Sequence, residues 1–166
     1  MKKRFSVLIK GSFFLPLAFI TMPVFSQSKL LVGSWRLTAA DKILPDGRQV
    51  ADYGEAPRGI AIFTANGQYV VEIFQTDRIK FASADLTKGT SKEYKDTVLK
   101  ISCHFGTYAV DEAKGTIAFH IDRASFPDWD ETTSVRTFTL EGDKLAWRVP
   151  PRPDGSIPVS VFSRIP

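Results

Sequence analysis

Strand-forming residues come in short runs along this chain, and residues that turn the backbone separate them. Gly33-Ser34-Trp35 stands in the first run, Leu31 to Ala40, and Pro45-Asp46-Gly47 follows as a turn. Gly59 to Thr64 and Gln68 to Phe74 flank Asn66-Gly67, a dipeptide that supplies the positive φ of a tight hairpin. Arg78 to Ala82 reads as a short strand. His104 to Val110 and Thr116 to Phe126 are set to pair across residues 111–115, and Thr133 to Leu140 and Lys144 to Val149 across Glu141-Gly142-Asp143. Pro150 to Pro153 lacks the donors of a central strand and reads as a loop before Ile157 to Ile165. An all-β, antiparallel up-and-down barrel of about eight to ten strands is expected, because closure removes exposed edges. A β-sandwich is the alternative.

One short helix is expected at about residues 90–102. Thr90 and Glu93 fit a capping box, in which each side chain satisfies an orphan backbone donor. Tyr94, Val98 and Ile101 make one apolar face. Two roles suit such a helix: a plug in one end of the barrel, or a lid over a pocket.

Residues 1–26 have the form of a cleaved export signal. Lys2, Lys3, Arg4 and Lys10 precede and open an apolar stretch from Gly11 to Phe25, and Val24-Phe25-Ser26 suits a signal peptidase. The stretch is short for a membrane span, which needs about 20 residues, and it contains Pro16 and Pro23. Cys103 is the only cysteine, so no lipid-accepting cysteine stands at the cleavage site and no internal disulfide can form. The expected mature chain, 27–166, is one domain, periplasmic or secreted, with no stable membrane span. Removing 1–26 takes four basic residues and leaves 18 of each sign. The overall basicity thus belongs to the signal, and no basic patch points to nucleic acid. The 13 Phe and three Trp favour a β-rich core or a large apolar cavity.

The chain resembles the bacterial lipocalin-like domain family. Val32-Gly33-Ser34-Trp35-Arg36-Leu37 is similar to that family's first strand, and Pro57-Arg58-Gly59 leading to Asn66-Gly67 to its first hairpin. Phe105-Gly106-Thr107-Tyr108 with Val110-Asp111, then His120, Phe126-Pro127, Trp129, Arg136 and Leu140 to Leu145 follow the family's order. Asp130-Glu131 stands where the family usually has a glycine after Pro-x-Trp. The resemblance implies a small calycin-type barrel with a cavity and no settled reaction. It also implies that the His120 position matters.

Arg136 is the foremost site candidate. It shares a strand face with Ser134, Phe138 and Leu140, the more apolar of the two. A guanidinium inside a barrel needs a partner, either a ligand anion or a structural carboxylate such as Glu72. His120 shares a face with Asp122, opposite Ile117, Phe119 and Ile121, so alternation alone turns it outward. A polar cavity would reverse that assignment, and Asp122 could then orient an imidazole base. Tyr108, Trp129 and Tyr69 could line a pocket or fill the core. The sequence offers no cofactor fingerprint and no metal-ligand pattern.

The first expectation is an exported barrel that binds a small, partly apolar molecule, with Arg136 suited to an anionic end. A cofactor-independent isomerase, cyclase or hydratase in the same cavity is the second, with His120 as acid/base. A ligand-free envelope interaction protein is the third.

Overall fold

In the computed structural model, which describes residues 29–166, nine antiparallel strands form one sheet. They are β1 (Gly33–Ile43), β2 (Gln49–Ala51), β3 (Arg58–Phe63), β4 (Gln68–Phe74), β5 (Ile101–Asp111), β6 (Thr116–Ala124), β7 (Thr133–Glu141), β8 (Lys144–Arg148) and β9 (Ile157–Arg164). From β3 to β9 each strand pairs with the next, and β1 joins β3 to β9. Eight strands thus close an up-and-down barrel, with β2 a short addition to the far end of β1. The export segment 1–26 lies outside the described residues.

The hairpins form where turn chemistry demands them. Gly67 between β3 and β4 has φ 83°, and Gly142 between β7 and β8 has φ 58°. Both values suit glycine, which has no Cβ to clash. The register of β5 on β6 slips between Phe105 and Gly106, so Asp122 on β6 is the unmatched residue. A side chain at Gly106 would fall 2.0 Å from the His120 carbonyl oxygen. Only glycine permits this close approach of the two backbones.

Two expectations about the segment between β4 and β5 do not hold. Arg78 to Ala82 forms no strand, because β4 pairs directly with β5 and leaves no place between them. The helix α1 (Ser91–Leu99) carries the expected capping box, but none of its residues is buried. It packs instead on its own excursion: the Phe81 and Tyr94 rings meet at 5.4 Å, and Glu93 accepts the Ala82 amide at 2.8 Å. It therefore neither plugs the barrel nor covers the cavity. Ile101, placed on the helix face by periodicity, is the first residue of β5.

The core divides the barrel along its axis. One end is filled by Trp35, Phe63, Tyr108, Val110, Ile117, Leu145 and Phe162, all buried. Trp35 Nε1 donates to the Leu31 carbonyl at 2.8 Å, and buried Leu31 lies against this end. The Arg164 guanidinium sits 4.0 Å from the Trp35 ring centre and donates to the carbonyls of Val32 and Leu30. Phe119 and Trp147 form the next layer, 5.6 Å apart, and Phe63 touches both. Truncating one such aromatic typically costs about 3–5 kcal/mol, so this packed half carries much of the fold's stability. Beyond that layer the barrel is no longer filled.

Candidate functional site

The open half holds a cavity of about 270 Å³. Strand ends supply its walls: Ala40 from β1, Ile73 from β4, Ser102 and His104 from β5, Ile121 from β6, Ser134 and Arg136 from β7, and Ser160 from β9. The loops add Tyr53, Trp129 and the Val149 to Arg152 segment. The expectation that Pro150 to Pro153 would not pair as a strand is met, and its stiff backbone forms part of the cavity wall.

Alternation on β7 places Arg136 inward, with 7% of its surface exposed. Its Nη2 donates to His104 Nε2 at 3.0 Å and its Nε to Ser134 Oγ at 3.3 Å. The guanidinium carbon lies 4.5 Å from the Phe119 ring centre and 5.7 Å from that of Trp147. Such cation–π contacts recover about 0.5–2 kcal/mol each, short of the several kcal/mol that burying an ion costs. Among the described residues no carboxylate forms an ion pair with Arg136, and no acceptor takes its Nη1 hydrogens. Burial pulls the Arg136 guanidinium down to about 10, and it remains protonated at neutral pH. The expected structural partner Glu72 is absent from the site. On β4 the buried face is Tyr69, Val71 and Ile73, and Glu72 alternates to the outer face.

The residue beside Arg136 is His104, which is 3% exposed. A guanidinium only donates, so Nε2 of His104 accepts and its proton sits on Nδ1. Nδ1 is 2.8 Å from the Tyr69 hydroxyl and donates to it. Burial first, and the Arg136 charge second, hold His104 down at about 3, so it stays neutral. Burial also raises the Tyr69 hydroxyl above its ordinary value. The Tyr69 hydroxyl proton then has no acceptor among the described residues, and neither does the buried Trp147 Nε1. The buried cluster behind Arg136 thus leaves two donors, the Tyr69 hydroxyl and Trp147 Nε1, without an acceptor among the described residues.

The mouth is pinned by charge. Arg152 Nη2 and Lys42 Nζ reach the two oxygens of Asp52 at 2.7 and 3.0 Å. Burial pushes the Asp52 carboxyl up, but these two partners outweigh it and hold it below the ordinary carboxylate range. This joins the loop after β8 to the segment after β2.

The five sequence candidates separate. Arg136 and Trp129 line the cavity. Tyr69 stands behind His104 and reaches the cavity only through it. Tyr108 belongs to the filled end, its hydroxyl donating to the Thr64 carbonyl at 3.0 Å and its ring 4.9 Å from that of Phe63. His120 lies outside the barrel, exposed, with Nδ1 2.9 Å from Thr133 Oγ1. Ile117, Phe119 and Ile121 occupy the inner face of β6, and a strand cannot turn both faces inward. An acid/base role for His120 in this cavity therefore fails on geometry. His104 was the residue to find: it alternates with Gly106, Tyr108 and Val110 on the inner face of β5. Tyr53 and Arg152 sit in loops, where no periodicity marks them.

The model of the lipocalin-like domain matches residues 32–163. The chain belongs to the lipocalin-like domain family. Two solved structures are similar to this lipocalin-like domain. One is a lipocalin-like protein from Bacteroides uniformis, at 13% identity and TM-score 0.40, covering 82% of this chain and 99% of that one. The other is a mutant of the fluorescent protein UnaG, at 13% identity and TM-score 0.36, covering 80% and 94% respectively. No curated protein matches. Asp130-Glu131 stands in this member where the family usually has a glycine after Pro-x-Trp, and of the two Glu131 takes the left-handed conformation, with φ 59°.

Proposed function

We propose that this lipocalin-like protein is exported and binds a small, partly apolar molecule, with an anionic group of the ligand seated on Arg136. The observation that carries this reading is a buried guanidinium with unspent N–H donors and no carboxylate partner among the described residues, set in the wall of a cavity. A ligand carboxylate or similar oxygen anion would supply the missing charge and accept those hydrogens. Ile73, Ile121, Val149 and Val159 offer the apolar surface for the rest of the molecule. The export half of the reading rests on the basic start, the apolar stretch and the cleavage-site residues of 1–26.

Native mass spectrometry of the protein purified gently from cells that export it tests both halves. The expected result is a polypeptide beginning at Gln27 with a reproducible adduct that organic solvent removes. An adduct retained equally by the Arg136→Met variant would overturn the anion reading. A full-length polypeptide found only in the cytoplasm would overturn export.

A further inference from the structure

We infer that the ligand is a compact, ring-bearing monocarboxylate, and that Trp129 is the residue that selects for the ring. This rests on the reading that Arg136 holds an anion, and narrows it in three respects.

Charge sets the first limit. Among the described residues Arg136 is the one cation on the cavity floor, since His104 has both nitrogens committed and is neutral. The other cation of the lining, Arg152, is already matched by Asp52 at the mouth. A phosphate monoester carries about −1.5 to −2 at neutral pH and would bury excess charge here. A carboxylate carries one charge, and its planar pair of oxygens matches the guanidinium edge.

Length sets the second. The cavity is about 270 Å³, below the 300–1,000 Å³ of drug-sized ligand pockets. Phe119 and Trp147 pack directly under Arg136, with Phe63 and Phe162 behind them. An extended acyl chain whose carboxylate rests on Arg136 cannot continue into the filled half, and must run out through the mouth into water.

Shape sets the third. The lining carries flat surfaces: Trp129, Tyr53 and the rings of Pro150, Pro151 and Pro158. Trp129 is held in place, its amide donating to the Phe126 carbonyl at 3.0 Å and its ring edge-on to Phe126 at 5.6 Å. It nevertheless leaves 39% of its surface uncovered among the described residues. A pre-positioned aromatic face gains most from a ring laid against it.

Calorimetric titration with four probes tests the assignment: cinnamate, the neutral cinnamyl alcohol, phenyl phosphate and dodecanoate. Cinnamate is expected to bind about tenfold or more tightly than each of the other three. Trp129→Leu, a change on a surface turn, is expected to weaken cinnamate several-fold and dodecanoate by less. Arg136→Lys is expected to retain part of the cinnamate affinity. Dodecanoate binding as tightly as cinnamate would overturn the compact-ring class and leave the anion reading standing. Cinnamyl alcohol binding as tightly as cinnamate would overturn both. Failure of all four to bind would overturn the ring-carboxylate class, and the adduct experiment would then judge the anion reading on its own.

Discussion

Arg136 Nη2 donates to His104 Nε2 at 3.0 Å, so a buried cation leans on a neutral imidazole rather than on a carboxylate. The arrangement fixes the tautomer of His104, commits both of its nitrogens, and leaves the charge of Arg136 without a counter-ion among the described residues.

A charge kept for binding is a cost to folding. Arg136→Met should therefore leave stability unchanged or raise it by about 1–3 kcal/mol, while abolishing binding of an anionic ligand. Glu72→Gln should change stability by no more than about 0.5 kcal/mol, since that side chain lies on the outer face. Denaturant melts of both variants check this. A loss of about 3–5 kcal/mol on Arg136→Met would instead identify a structural ion pair.

The imidazole gives stability a pH signature. The folded value of His104, about 3, lies below its ordinary 6.5, so only the unfolded chain takes up the proton in between. The contribution of His104 is complete above pH 6.5 and is lost as pH falls toward 3. Its slope reaches about 1.4 kcal/mol per pH unit. Melts from pH 6.5 down to 5, above the main carboxylate titrations, should show this decline, and His104→Gln should flatten it. Nitrogen NMR should find Nδ1 protonated and Nε2 bare throughout that range.

The barrel was legible in the sequence because its signals are local. Gln68 to Phe74 was bounded correctly as a strand, since Asn66-Gly67 sets one end and alternation the rest. Alternation also turned Arg136 inward. What it could not supply was the partner of Arg136, because β5 and β7 are brought together through β6 and by closure of the barrel. His104 was legible as a strand residue, but its contact with Arg136 is 32 positions away in the chain. The helix misled for the opposite reason: its apolar periodicity was real, but Tyr94 packs on Phe81 of a local excursion, Val98 is exposed and Ile101 belongs to β5.

The β6 bulge opposite Gly106 has a strict requirement. A methyl group at Gly106 would meet the His120 carbonyl oxygen at 2.0 Å and the Asp122 amide nitrogen at 2.9 Å. Both are backbone atoms and cannot swing aside. Gly106→Ala should cost about 2–4 kcal/mol, read by thermal denaturation.

Glu131 presents the converse case. It sits at φ 59°, a conformation that costs a residue with a Cβ about 1–2 kcal/mol. Its ion pair with Arg123, at 3.0 Å, is exposed and returns little. Glu131→Gly should therefore raise stability by about 1 kcal/mol in denaturant melts.

The division of the barrel into a packed end and a hollow end keeps two kinds of change apart. Closure of the cylinder depends on Trp35, Phe63, Phe162 and their neighbours, none of which lines the cavity. Tyr53, Trp129 and Pro151 stand on loops at the other end, where exchanging one side chain for another leaves that aromatic stack intact. A scaffold arranged in this way can be re-tailored for a new guest at its rim, while the same sealed base is inherited unchanged.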